Sequence, residues 1–188
     1  FFRVSLDGRL GASVALFDTE LDNAAQRDGS LLTPSGAQAY KGVDGTKSRG
    51  IEFDIQGEVA ANWNIYAGVA AFTAKDANDT RLNAQVPRTT AQMFTTYKLP
   101  GILEELTLGG GVRWQSRFLS SSTSTRVAEQ EPYALTSLMA RYELTSSMDV
   151  SINVNNVFDK KYATQKGDFD TVSYSAPRNT LMTLNYKL

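Results

Sequence analysis

The sequence predicts an all-β protein built from antiparallel strands. Three observations indicate this class. Apolar and polar residues alternate with a period of two along most of the 188 residues, and helical periodicity is hard to find. Short and long connections alternate along the chain between these segments. All five prolines fall in loops, in turns or at strand edges, which fits strands because proline cannot donate to a ladder.

The strands are predicted in chain order, with boundaries set by turn residues and polar segments. Residues 1–6 fit the end of an earlier strand, because FFRVSLDG has neither the basic start nor the apolar core of a signal peptide, and we expect a piece of a longer protein. Eight strands follow at about 9–27, 38–60, 63–76, 87–99, 105–118, 132–144, 147–160 and 178–188. Short connections are predicted near 7–8, 61–62, 100–101 and 146–147, and long polar ones at about 28–37, 77–86, 119–131 and 161–177.

The alternation gives each strand one apolar and one polar face. In residues 105–118 the apolar set is Leu106, Leu108, Val112, Trp114 and Phe118. The opposite set is Thr107, Gly109, Gly111, Arg113, Gln115 and Arg117. The stretch NVNNVFDKKY at 153–162 continues the same alternation and then enters a loop. The two faces of the predicted sheet therefore meet different solvents.

Composition excludes several classes of function. The formal net charge is −1, from 19 basic and 20 acidic residues, so no basic field attracts nucleic acid. The chain has no cysteine and no histidine, which excludes disulfides, Ser-His-Asp and Cys-His catalysis and the usual zinc sites. No apolar run reaches the roughly 18 residues of a membrane helix. We expect no enzyme and no metal site.

A membrane barrel is favoured over a soluble sandwich. The predicted strands, at about 11 to 20 residues, exceed the usual 5 or 6, and short turns alternate with long loops. Aromatic residues lie near strand ends, as in interfacial girdles: Trp63, Tyr97, Trp114 and Tyr186. Two alternatives remain open: a small complete eight-stranded outer-membrane barrel of structural or adhesive role, and a secreted β-sandwich that acts as a binding module.

Five segments resemble the TonB-dependent outer-membrane receptors for ferric siderophores, in the order and spacing of that family. They are SRGIEFDIQGEVAANWNIYAGVAAF at 48–72, VPRTTAQMFTTYKLPG at 86–101, LTLGGGVRWQSR at 106–117, NVNNVFDKKY at 153–162 and YSAPRNTLMTLNYKL at 174–188. The closest resemblance is to receptors for hydroxamate siderophores of the coprogen, rhodotorulate and ferrioxamine type. Residues 87–90, 97–100 and 109–111 carry it, and related pyoverdine receptors share much of it.

The resemblance implies an antiparallel transmembrane β-barrel of about 22 strands, closed by a separate plug domain. Residues 1–188 would form about eight C-terminal strands of that barrel, without the plug or the segment that contacts TonB. It implies a bacterial outer-membrane receptor, in contact with lipid, that transports a ferric siderophore energised by the TonB complex. The iron arrives chelated, so neither a cofactor nor a metal ligand is expected. Leu188 stands where the family usually ends in phenylalanine.

The resemblance also implies that the long loops face the outside and supply the ligand contacts. Loop aromatics can stack on a chelate and arginines can donate to its oxygens. The candidate ligand-binding residues are Arg117, Phe118, Tyr133, Phe169 and Tyr174. Ordinary loop packing is the alternative for each, and the parity of Phe118 points toward lipid.

Three further positions are expected to face the barrel interior. Gly109 and Gly111 would either let the plug approach closely or ease the curvature of the strand. Arg113 would either pair with plug carboxylates or line a wet interior.

Overall fold

A computed structural model describes residues 2–6, 8–22, 24–43, 45–82, 86–119, 129–166 and 172–187. The strands, in chain order, are β1 (Phe2–Leu6), β2 (Leu10–Leu21), β3 (Ala24–Leu32), β4 (Gln38–Val43), β5 (Thr46–Ala60), β6 (Trp63–Lys75), β7 (Thr89–Lys98), β8 (Leu106–Gln115), β9 (Phe118–Leu119), β10 (Glu129–Gln130), β11 (Tyr133–Thr145), β12 (Met148–Asn155), β13 (Ala163–Lys166), β14 (Val172–Tyr174) and β15 (Asn179–Tyr186). A 3₁₀ helix spans Gly101–Leu103. The prediction of an all-β antiparallel protein is confirmed.

One nine-stranded antiparallel sheet dominates the described residues. Its order is β1-β2-β5-β6-β7-β8-β11-β12-β15, so the strands of this sheet are arranged in the order in which they occur along the chain. Three separate hairpins, β3–β4, β9–β10 and β13–β14, project from connections at one end of the sheet. We call this the long-loop end and the other the short-turn end. The predicted alternation of short and long connections is therefore confirmed.

Two predicted strands are longer than the strands of the sheet. The predicted strands at 9–27 and 38–60 each break, because β2 ends at Leu21 and β5 begins at Thr46. Gly45, with a φ of 85°, stands immediately before β5 in a conformation that does not continue a ladder. The extra residues of both predicted strands belong to β3 and β4, which pair with each other as a separate hairpin.

The register confirms the two faces. On one face Phe53, Val69, Ala91, Trp114 and Ala134 are successive cross-strand partners. On the other, Asp54, Gly68, Gln92, Arg113 and Leu135 are partners in the same way. Because side chains alternate along a strand, we call these the apolar face and the polar face of the whole sheet.

Large apolar side chains remain uncovered on the apolar face. Leu138, Ile152 and Leu184 are 51%, 44% and 61% exposed. A soluble sandwich would bury this face in its core. The open order of the described strands, with β1 and β15 at the edges, also differs from a closed eight-stranded barrel. No helix among the described residues is long and apolar enough to cross a membrane.

The short-turn end of the polar face is fixed by ion pairs within the chain. Arg141 donates from Nε and Nη2 to the two carboxylate oxygens of Asp149, at 2.9 and 3.1 Å. Asn185 Nδ2 donates to Asp149 Oδ1 at 3.0 Å, and Lys98 Nζ lies 3.3 Å from Glu143 Oε2. At the short-turn end, these contacts link β7 to β11 and β11 to β12 and β15.

Candidate functional site

Three aromatic rings pack together at the long-loop end of the polar face. Phe118, Tyr133 and Tyr162 are 3%, 8% and 9% exposed, and Leu135 packs against them. The rings of Tyr133 and Tyr162 lie 4.3 Å apart between centroids and are tilted by 31°. Tyr133 starts β11 opposite Gln115, while β9 supplies Phe118. We call these three residues the aromatic cluster.

A tight turn after β12 brings Tyr162 into the aromatic cluster. Asn156 is buried and has a φ of 51°, a conformation that asparagine tolerates better than most residues. Its Oδ1 accepts from Lys160 N at 2.8 Å and its Nδ2 donates to Lys160 O at 2.9 Å. Asp159 Oδ1 accepts from Arg178 N at 2.8 Å, which ties the turn to the start of β15. The stretch NVNNVFDKKY therefore shapes the backbone around the site.

A cavity of about 350 Å³ lies beside the aromatic cluster on the polar face, and side chains of several kinds line it: Tyr66, Gln92, Phe94, Arg113, Asn155 and Tyr162. Gln92 Nε2 donates to Tyr66 Oη at 3.1 Å. Asn155 Nδ2 donates to Asn179 Oδ1 at 3.1 Å. A guanidinium, amides and aromatic rings in one concave wall suit a ligand that has both carbonyl-type oxygens and flat apolar surface.

The connection between β6 and β7 is held against the same end of the sheet by Arg88. Its guanidinium carbon lies 4.8 Å from the centre of the Phe72 ring, and its Nη2 donates to the carbonyl oxygens of Leu82 and Ala74. Partial burial, and secondarily the charge of Arg81, lower the pKa of Arg88 from its usual range. The side chain of Arg88 therefore braces this connection.

The predicted ligand-binding residues occupy different environments. Phe118 and Tyr133 meet in the aromatic cluster. Arg117 is next in sequence and is exposed, with its Nη1 3.0 Å from Glu129 Oε1. Tyr174 is 73% exposed on β14, where its Cα partner is Ala163. Phe169 lies outside the described residues.

The expected orientation of Phe118 toward lipid is wrong. It assumed one unbroken strand over 105–118, but β8 ends at Gln115 and Phe118 belongs to a separate short strand. Ser116 leaves the alternation, and its Oγ accepts from the backbone N of Arg88 and Thr89 at 3.0 and 3.1 Å. Beyond this break Phe118 packs on Tyr133, which belongs to the polar face.

Sequence reasoning missed Tyr162. The signal was an aromatic residue directly after the polar turn of NVNNVFDKKY, at the point where the chain returns to the sheet. It was overlooked because that stretch was interpreted as the exit of a strand. Because the ring of Tyr162 is buried in the aromatic cluster, the segment that follows β12 belongs to the candidate site.

Three glycines of the polar face are covered by neighbouring side chains. A Cβ added to Gly111 would lie 2.6 Å from Phe94 Cδ2, and one added to Gly68 would lie 2.6 Å from Asp54 Oδ1. Gly50 is covered by the ring of Phe17 in the same way. At Gly111 the space that was expected to admit a plug or to ease curvature therefore holds the Phe94 ring.

Metal coordination has no visible basis in the described ranges. They contain no group of three or more histidine, cysteine, aspartate or glutamate side chains that could hold a metal ion. What this wall offers a ligand is stacking, hydrogen bonds and a positive charge.

A sheet of long antiparallel strands with one apolar face, one polar face, short turns at one end and long loops at the other defines the wall of a transmembrane β-barrel. The chain belongs to the family described as TonB dependent receptor-like, beta-barrel, whose model matches residues 2–157. These are barrels of the bacterial outer membrane. The apolar face therefore contacts lipid, and the polar face lines the barrel interior.

Three comparisons define the similarity further. The chain is 41% identical over 184 residues to the ferric-pyoverdine 358 receptor of Pseudomonas putida, covering 96% of this chain and 22% of that protein. It is 36% identical over 190 residues to the ferripyoverdine receptor of Pseudomonas aeruginosa, covering 96% and 23%. The structure of P. aeruginosa FpvA bound to a heterologous ferric pyoverdine superposes with a TM-score of 0.88 at 36% identity, covering 97% and 25%. The chain thus spans about a quarter of the length of these relatives.

Proposed function

We propose that the protein carrying this chain is an outer-membrane receptor that binds a ferric siderophore and transports it inward, energised by the TonB complex. The observation that carries the proposal is the cavity beside the aromatic cluster on the interior wall at the long-loop end. Family membership and the receptors among the relatives support it. The described residues of the wall would bind the chelate without forming or breaking a covalent bond.

The siderophore class requires a choice between two candidates. The sequence motifs favour a hydroxamate siderophore, whereas the two relatives at 41% and 36% identity are named as pyoverdine receptors. We therefore propose a ferric pyoverdine as the first ligand to test and a ferric hydroxamate as the second.

The candidate residues would contact the ligand at two places, in the cavity and at the exposed loops. Arg113 and Gln92 line the cavity and would donate hydrogen bonds to oxygens of the chelate. Tyr162 would offer the edge of its ring there, because it both lines the cavity and packs in the aromatic cluster. Arg117 and Tyr174 are exposed at the loops and would meet the ligand first. Phe169 remains a candidate from the sequence.

Substitution of Arg113 by glutamine in the full-length receptor tests the binding wall. We expect affinity for the ferric siderophore to fall about tenfold, because hydrogen bonds to a charged donor contribute roughly 1.5 to 3 kcal/mol. Arg117→Ala and Tyr174→Ala should weaken binding by smaller factors. Titration by intrinsic fluorescence, with ferric pyoverdine and a ferric hydroxamate in parallel, measures the affinities. Uptake of radioactive iron by cells with and without TonB measures transport.

Arg9→Gln is the matched control. Arg9 is an exposed arginine in the turn before β2, at the short-turn end, so the same change there should leave affinity unaltered. If Arg113→Gln, Arg117→Ala and Tyr174→Ala all bind both siderophores like the unaltered receptor, the proposed site is wrong. If iron uptake does not depend on TonB, the proposed energy source is wrong.

A further inference from the structure

One peptide group connects two of the hairpins at the long-loop end. It joins Tyr162 to Ala163, where β13 begins. Its N–H donates to Gln130 Oε1 at 2.8 Å, and its carbonyl oxygen accepts from Ser175 N at 3.1 Å. Gln130 ends β10, and Ser175 directly follows β14. The peptide therefore links the β9–β10 hairpin to the β13–β14 hairpin.

The side-chain amide of Gln130 is held at both of its polar atoms. While Oε1 accepts from Ala163, Nε2 donates to the carbonyl oxygen of Glu131 at 2.8 Å. Ala163 is only 8% exposed, so water has little access to its N–H if the acceptor is lost. A buried N–H without an acceptor is costly, and this cost keeps the peptide in place.

The peptide held by Gln130 carries the ring of Tyr162. This ring packs on Tyr133 in the aromatic cluster and lines the cavity. Before Tyr162, the chain is fixed by the hydrogen bonds between Asn156 and Lys160. After Tyr162, it is fixed by Gln130. The ring is therefore held from both sides along the backbone, and the second support comes from a different hairpin.

Gln130 also belongs to the aromatic cluster through its own strand. Its Cα partner across the β9–β10 pair is Phe118, which packs in the same cluster. The backbone of Gln130 is thus paired with one ring of the cluster, and its side chain holds the backbone of another. Gln130 itself does not line the cavity.

We propose that Gln130 is a positioning residue of the ligand site. By holding the peptide between Tyr162 and Ala163, it keeps the ring of Tyr162 against Tyr133 and at the edge of the cavity. Because Gln130 does not line the cavity, it acts on the ligand through Tyr162. The effect on the ligand rests on the proposed function, whereas the position of the ring can be measured without a ligand.

Gln130→Leu in the full-length receptor tests the effect on the ligand, because leucine has a similar volume and no acceptor. We expect the affinity for ferric pyoverdine to fall about fivefold, the size expected from the loss of one hydrogen bond. Tyr162→Ala should weaken binding at least as much. The double variant Gln130→Leu/Tyr162→Ala should bind like Tyr162→Ala alone. If the two effects multiply instead, Gln130 acts independently of Tyr162 and the proposal is wrong.

The position of the ring is measured in the absence of siderophore, with 3-fluorotyrosine at position 162 and ¹⁹F NMR. In the unaltered receptor the resonance should be displaced from that of free fluorotyrosine, because the ring packs on Tyr133. In Gln130→Leu it should move toward the free value. An unchanged resonance would overturn the proposal. If the unaltered receptor binds no siderophore, the proposed function fails, and this measurement still decides the role of Gln130.

Thr164→Val is the matched control. The hydroxyl of Thr164 donates to Ser173 O at 3.1 Å within the β13–β14 hairpin, so this change also removes one hydrogen bond but leaves the peptide and Gln130 intact. It should alter neither the resonance nor the affinity. Equal changes in Thr164→Val and Gln130→Leu would show that any loosening of the hairpin is sufficient, which contradicts a specific role of Gln130. If Gln130→Leu does not fold, Gln130→Met, which also lacks a carbonyl acceptor, replaces it in both measurements.

Discussion

The two faces of the nine-stranded sheet use alternate residues of the same strands and are packed in opposite ways. On the apolar face, Leu138, Ile152 and Leu184 stay 44% to 61% exposed, because their partners are lipid chains. On the polar face, Phe94 lies over Gly111 and Asp54 lies over Gly68. The apolar face therefore depends on the bilayer for its stabilisation, whereas the polar face depends on specific contacts within the chain.

Because of this difference, we expect the two faces to tolerate different substitutions. Exchange of one apolar residue for another of similar size on the apolar face meets a fluid partner and should cost little. The polar face is defined by contacts between particular side chains, such as the Arg141–Asp149–Asn185 group, so changes there act on named partners. Paired substitutions on the two faces can test the contrast.

The largest effect is expected in the aromatic cluster. Phe118→Ala should reduce the free energy of unfolding by about 3 kcal/mol, because a buried ring is replaced by a cavity among Tyr133, Tyr162 and Leu135. Phe158→Ala is the matched control. Phe158 is 78% exposed in the turn after β12, and its loss should change stability by less than about 0.5 kcal/mol. Denaturant unfolding of full-length receptor in lipid bilayers measures both values, and equal effects would contradict the assignment of Phe118 to a packed core.

A smaller effect is expected from a charge on the apolar face. Ile152→Arg should reduce stability by about 2 kcal/mol, since an arginine near the middle of the lipid-facing band is desolvated. Asn153→Arg is one residue away on the polar face, where its partners are Met139 and Leu181 and water reaches the wall. It should cost much less. The same unfolding measurement compares the pair, and a larger loss for Asn153→Arg would mean that the two faces are exchanged.

The sequence contained enough information for the strands and their faces. A period of two over long segments predicts which side of β8, β12 and β15 is apolar, and the register confirms it. The alternation did not reveal where the sheet stops. The predicted strands at 9–27 and 38–60 ran past Leu21 and began before Thr46, and the pairing of β3 with β4 shows that these extensions belong to a separate hairpin.

The candidate site was predicted only in part, because its residues meet through irregular backbone. Phe118 was assigned by parity to the wrong face, since Ser116 interrupts the alternation. Tyr162 was missed, because it is placed by the left-handed Asn156 and the contacts of Asn156 with Lys160. Periodicity carries no information about such turns, so aromatic residues after a polar turn have to be considered one by one.

The smallest effect should appear at two adjacent glycines, and it sharpens the contrast most directly. A Cβ at Gly111 would lie 2.6 Å from Phe94 Cδ2 and 2.7 Å from Met93 O, whereas at Gly110 the nearest atom would be Leu138 Cδ2 at 3.3 Å. Gly111→Ala should therefore cost about 1 kcal/mol, because both the Phe94 ring and the backbone carbonyl of Met93 have to shift, and Gly110→Ala should be close to neutral because Leu138 faces lipid and can move. Phe94 lines the cavity, so Gly111→Ala should also weaken siderophore binding while Gly110→Ala does not. If both changes cost the same and leave binding unaltered, the polar face is no more tightly packed at this point than the face that meets lipid.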